Sequence, residues 1–210
     1  MTPVVRLLLF ANVAVFGLQQ ITRDGLMTHF ALWPLGSFPV AGGGRVGFEL
    51  WQLVTSAFLH GGIAHIALNM YALYAFGSMV ERTMGPRRFA LLYFASVLTG
   101  SLVQLLVVTA KLDQGIAPTV GASGGVFGVL LAFGALFPHS RVMFVFPPIP
   151  MKAWVLVVGY AVIELLMGVF GTNQGVAHFA HLGGMLGAVI VLLATGFRLR
   201  GQPRGDIRGP

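Results

Sequence analysis

Polar positions interrupt this chain so sparsely that six apolar stretches stand out, at about 4–19, 63–80, 89–110, 123–137, 153–170 and 178–197. Stretches near the ~20 residues that carry a helix across a bilayer predict membrane-spanning helices. The predicted fold class is therefore all-α: a polytopic membrane protein with six transmembrane helices in one compact bundle. The fourth stretch is the shortest. Pro118 and the glycines Gly121, Gly124 and Gly125 stop its helix from extending upward. A helix head that ends within the membrane must be covered by protein or water, which makes room there for a polar site.

The connections differ in character. The first, roughly 20–58, carries Trp33, Pro34, Phe38, Trp51 and the run Gly42-Gly43-Gly44, and its aromatics suit the headgroup region. It is expected to be folded and interfacial. The short connection Gly171-Thr172-Asn173-Gln174-Gly175 suits either a movable cap or an ordinary tight turn. Residues 1–197 read as one membrane domain, and the basic, Gly/Pro-rich residues 198–210 as a mobile tail. Gln19-Gln20-Ile21-Thr22 follows the first stretch where a signal peptide would carry small residues for cleavage, so that stretch reads as a retained helix.

Composition agrees with the pattern. Hydrophobic residues make up 56% of the 210 positions and charged residues only 9%, against about 25% charged in soluble domains. The net charge of +7 is distributed by topology. With the N-terminus inside, ten basic residues fall on the cytoplasmic side: Arg6, Arg82, Arg87, Arg88, Arg141, Lys152, Arg198, Arg200, Arg204 and Arg208. Only Arg23, Arg45 and Lys111 fall outside. This follows the positive-inside rule, puts both termini in the cytoplasm and argues against nucleic-acid binding. The chain has no cysteine, which excludes disulfides, thiolate nucleophiles and thiolate metal sites.

Ser123 opens the fourth stretch, flanked by Gly121-Ala122 and Gly124-Gly125. A serine at a helix N-terminus has its own amide free to donate, so a nucleophile there brings half an oxyanion hole with it. Gly124 and Gly128 in the fourth stretch, and Gly183 and Gly187 in the sixth, each stand four apart. Packing those two small-residue faces together would bring Ser123 near His181. Depth supports convergence. At ~1.5 Å per residue, Ser123 lies about 21 Å and His181 about 26 Å above the inner boundary, with Asn69 and His65 at about 18 and 24 Å. His65 and Asn69 share one helical face, and each has an N–H to give an oxyanion; interhelical hydrogen bonding alone is the plainer reading of the pair.

Rival chemistries fit less well. No histidine is followed by the glutamate of an H-E-x-x-H zinc protease, and Asp24, Asp113 and Asp206 all lie outside the spans. Four histidines, His60, His65, His178 and His181, could hold a metal in principle. His60 and His65 are five apart, however, and no carboxylate adjoins them in sequence. Neither metal nor cofactor is expected. Gly121 to Gly125 also fits G-x-S-x-G, but that elbow needs a preceding strand and a soluble sheet.

Four segments together resemble the rhomboid family of intramembrane serine proteases. They are Gly121-Ala122-Ser123-Gly124; His60, His65 and Asn69 as H-x4-H-x3-N; Glu81 to Phe89 as E-R-x-x-G-x-x-R-F; and Ala180-His181-Leu182-Gly183-Gly184. They occur in family order over about 51–190. The resemblance implies a six-helix bundle that cleaves transmembrane substrates near the outer boundary with a Ser–His dyad. Ser123 would be the nucleophile and His181 the general base, with His65 and Asn69 joining the Ser123 amide at the oxyanion. It also implies a small residue before the scissile bond. Inactive relatives lack the serine or histidine, or place a proline before the serine; Ala122 stands there in this chain. The minimal plan suggests a bacterial inner membrane.

Two other classes compete: a catalytically silent rhomboid-like membrane chaperone, and a transporter. The transporter is disfavoured because only the fifth span carries a central charge and no inverted repeat is visible. That charge, Glu164, lies about 18 Å above the inner boundary. It is read first as a carboxylic acid hydrogen-bonded to a neighbouring helix. It could instead hold span five against span two, or orient His181.

Overall fold

The computed structural model describes residues 1–22, 24–39, 43–110, 117–143, 148–170 and 176–196. Each apolar stretch forms a helix. They are α1 (Pro3–Thr22), α4 (Ile63–Met84), α5 (Pro86–Ala110), α6 (Ser123–Leu136), α7 (Ala153–Phe170) and α8 (His178–Ala194). Two short helices, α2 (Asp24–Phe30) and α3 (Gln52–Thr55), lie in the first connection. Among the described residues, α1, α4, α5 and α7 are long and apolar enough to cross a membrane; α6 and α8, with 14 and 17 residues, are shorter.

The surfaces of these helices explain their composition. α1 buries only the stripe Val5, Leu8 and Asn12, and turns Leu7, Phe10 and Val13 outward. α7 likewise exposes Val158, Val162, Leu165, Leu166 and Val169. A surface this apolar is stable against lipid and not against water. The centre is built from α5, α6 and α8 around Phe89, Leu92, Tyr93, Val129, Ala132, Phe133 and Ala188.

Glycines set how close these three helices come, in a register different from the one expected. Gly183 and Gly187 face α5: a Cβ at Gly183 would lie 2.9 Å from the Gly100 Cα, and one at Gly187 2.8 Å from the Ala95 carbonyl. Gly184 is the residue that meets α6, where a Cβ would overlap the Gly124 carbonyl. A helix surrounded on two sides needs small residues on two faces, so the i, i+4 pair served α5 and its neighbour served α6.

Glu81 explains part of the Glu81 to Phe89 segment. Its buried carboxylate accepts the Val4 and Val5 amides at 3.0 and 2.9 Å, capping the first turn of α1. Gly85, at φ +82°, makes the turn into α5, a conformation costly for any side chain.

The connections hold more structure than an all-helical reading predicts. β1 (Phe38–Pro39) pairs antiparallel with β2 (Arg45–Val46), and β3 (Arg141–Met143) with β4 (Pro150–Lys152), aligning Arg141 with Lys152. The described part of the first connection is folded. The buried Gln52 side chain donates to the His29 and Gly47 carbonyls and accepts the Trp33 amide. The expected cap, 171–175, and the expected tail, 198–210, lie outside the described residues.

Candidate active site

The first connection reaches across to shape the approach to Ser123. Leu32 and Thr119 exchange both backbone hydrogen bonds, at 3.0 and 2.9 Å, and the Gly121 amide donates to the Ser56 carbonyl at 3.0 Å. Gly121 then turns at φ +131°, where a Cβ would fall 2.7 and 2.8 Å from Cε1 and Nε2 of His65. Only glycine fits both the turn and the ring against it. α6 begins two residues later, and the amides of its first turn have no carbonyl within the helix to bond.

His181 lies in the first turn of α8, buried, with Nε2 2.8 Å from the Ser123 Oγ. Its ring lies flat on Phe127, with centroids 4.1 Å apart and planes at 6°. Its other nitrogen, Nδ1, is 2.9 Å from Oε2 of Glu164. The same oxygen is bonded to Nδ1 of His178 at 2.6 Å.

His65 and Asn69 stand on α4. The Gly61 amide donates to His65 Nδ1 at 3.3 Å, so a neutral ring carries its proton on Nε2, the nitrogen beside Gly121. Asn69 donates one amide N–H to the His65 carbonyl at 2.9 Å and retains a second. A cleft of about 1360 Å³ is lined by His65, Asn69, Ser123, Phe127, Glu164 and His181. α4 and α7 form facing walls of it, with Leu68 and Tyr71 on one side and Leu156 and Met167 on the other.

His60 packs edge-to-face on His65, with ring centroids 5.1 Å apart, and does not line the cleft. Its backbone amide and carbonyl are both held by the Gln19 side chain, tying α1 to the start of α4. The residue is 1% exposed, its ring enclosed by protein. Burial first, and then the neighbouring His65, push its pKa down to about 4.

The arrangement joins a hydroxyl at hydrogen-bond distance from an imidazole to a helix N-terminus and two further N–H donors. Such a set can deprotonate a serine and stabilise an oxyanion. A family model described as the Rhomboid domain matches residues 47–197. The chain belongs to the rhomboid family. Members of that family are generally intramembrane serine proteases, and this rhomboid is an integral, multi-pass membrane protein.

Over 191 residues it is 33% identical to "Rhomboid protein 1, mitochondrial" of Saccharomyces cerevisiae, covering 87% of this chain and 50% of that protein. It is 32% identical over 151 residues to "Rhomboid protease GluP" of Bacillus subtilis, covering 70% and 26%. "RHOMBOID-like protein 12, mitochondrial" of Arabidopsis thaliana is 32% identical over 197 residues, covering 87% and 55%. The chain thus spans about half or less of the length of these relatives.

Two neighbours of the imidazole differ from the expectation. Phe127 was not anticipated, although its place four residues after Ser123 puts it on the same helical face. No carboxylate adjoins the histidines in sequence, but Glu164, fourteen residues before His178 and read as one that could orient His181, reaches two of them. The helix it bonds is the one carrying His178 and His181, which fits both the hydrogen-bonded reading and the one in which it orients His181. Glu164, His178 and His181 bring three potential metal-ligand atoms within 4.8 Å of one another. The 2.6 Å contact is that of a shared proton; zinc, with bonds of ~2.0–2.1 Å, would hold tetrahedral ligand atoms about 3.3 Å apart.

Proposed function

We propose that this rhomboid is an intramembrane serine endopeptidase that cleaves transmembrane-helix substrates near the outer membrane boundary. One observation carries the reading: the 2.8 Å contact between Ser123 Oγ and His181 Nε2, inside a cleft whose walls are membrane helices. All six helices cross or enter the bilayer, both termini are cytoplasmic, and the membrane is a bacterial inner membrane. Relatives whose names place them in mitochondria make an organelle membrane the contrary outcome of a localisation experiment.

The reaction follows from the geometry. A substrate helix enters between α4 and α7 and unwinds, since a peptide bond within an intact helix is shielded; helix-weakening residues near the bond help. A small residue before the scissile bond fits the family resemblance. Ser123 Oγ attacks the carbonyl carbon while its proton passes to His181 Nε2. The oxyanion accepts hydrogen bonds from the Ser123 amide, His65 Nε2 and Asn69. His181 then gives the proton to the leaving amine. Water from the cleft, deprotonated by the same imidazole, hydrolyses the acyl-enzyme. Phe127 holds the ring in its plane throughout.

The test is labelling of the purified protein with a serine-reactive fluorophosphonate, alongside cleavage of a model transmembrane substrate in liposomes. Both activities are expected in the wild type and neither in Ser123→Ala. A folded wild-type protein that neither labels nor cleaves would overturn the reading in favour of a silent, chaperone-like rhomboid.

A further inference from the structure

We propose that Glu164, held in place by His178, is a positioning residue for His181, completing a serine–histidine–glutamate line in the membrane. The inference rests on the proposed roles of Ser123 and His181, and its argument begins with tautomers. Neutral imidazole has one N–H and one lone pair. To take the serine proton, His181 must present its lone pair at Nε2, which puts its own proton on Nδ1. The Glu164 oxygen, 2.9 Å from Nδ1, favours that arrangement and disfavours the opposite one. When Nε2 gains the serine proton, the ring becomes a cation beside a carboxylate. The proton goes on to the leaving amine, and Glu164 takes none.

Three further observations point the same way. An ionisable group on a membrane helix is costly, and hydrogen bonding between helices requires only an amide or hydroxyl. The carboxylate is 7% exposed, and its oxygen meets a nitrogen of each of two histidines one helical turn apart. His178, bonded at 2.6 Å, fixes the oxygen whether or not His181 is engaged. Finally, the parallel stack on Phe127 sets the plane of the imidazole, with Nε2 on Ser123 Oγ and Nδ1 beside the carboxylate at once. A carboxylate attracts the imidazolium more strongly than the neutral ring, so the interaction is strongest where it lowers the barrier.

The experiment uses the full chain in liposomes. Glu164→Gln, which keeps the shape and removes the charge, is expected to lower kcat about a hundredfold with KM within about twofold. Fluorophosphonate labelling should slow in parallel and thermal stability should change little. Glu164→Asp should recover about tenfold of the loss. His178→Ala, which frees the carboxylate without removing it, should cost about tenfold in kcat. Nitrogen-15 NMR of histidine-labelled wild type should find His181 with its proton on Nδ1. Glu164→Gln cleaving within threefold of wild type would overturn the proposal, as would a wild-type His181 protonated on Nε2; the spectrum decides even if the variant does not fold. Cleavage surviving in Ser123→Ala or His181→Ala would instead sink the dyad itself.

Discussion

Two regions of the molecule meet at Ser123, and they are built on opposite principles. On one side α5, α6 and α8 are drawn together by glycines until backbone touches backbone, with Gly184 against Gly124 and Gly183 against Gly100. On the other, α4 and α7 stand apart across the cleft that holds His65 and Asn69. Ser123 and His181 belong to the close-packed seam. A hydroxyl-to-imidazole distance of 2.8 Å tolerates little drift, and contact between backbones leaves less room for drift than contact between long side chains. Access for a substrate helix has the opposite requirement. The molecule thus places its closest geometry where helices pack backbone to backbone and its cleft where they stand apart.

The sharpest way to break that comparison is to remove one member of the seam's chemical pair. Ser123→Ala and His181→Ala are each expected to lower cleavage at least about a thousandfold, and the double variant hardly further, because the two act as a unit. Cleavage assays of the three variants would reveal additive losses if they do not. Across the cleft the effect should be smaller: Asn69→Ala and His65→Ala should each lower kcat by about ten- to a thousandfold with the fold intact, as for loss of one oxyanion donor. Turnover unchanged in both would leave α4 as a mere wall.

Packing separates the regions differently. Gly184→Val drives a branched side chain into the Gly124 carbonyl and should destabilise by about 3 kcal/mol or more, taking activity with it. Leu68→Ala, on the open wall and 63% exposed, should shift stability by no more than about 0.5 kcal/mol. Thermal unfolding in detergent compares the two, and equal losses would erase the distinction. Phe127→Leu removes the stack on His181, worth about 0.5–1.5 kcal/mol, so kcat should fall about three- to tenfold at unchanged KM.

His60, packed behind His65, has no effect at neutral pH and acts only on acidification. Its pKa is near 4 in the fold and 6.5 when unfolded, so above about pH 6.5 it is neutral in both states and contributes no pH dependence. Between 6.5 and 4 the unfolded chain binds a proton that the folded chain refuses, and stability falls as pH drops. Melting temperatures across that range should decline less steeply in His60→Phe than in wild type. Parallel slopes would show that its ring is protonated in place.

Sequence alone determined that the six apolar stretches are helical, four of them long enough to cross a membrane, because an apolar backbone away from water must bond to itself. It also marked Ser123, His181, His65 and Asn69, since polar groups are costly at that depth and few were present. The register of the glycine seams was not legible: Gly183, Gly184 and Gly187 are equivalent as letters, and only the rotation of α8 between two neighbours assigned each a partner. Nor was the hold of the first connection on Thr119 and Gly121, which depends on backbone bonds that any residue but proline can donate. Glu164 was visible as a charge out of place, but the letters alone did not say which helix it faces. The crossing of α7 over α8 decided that by placing its oxygen against two imidazoles, and no periodicity within α7 encodes where another helix will lie.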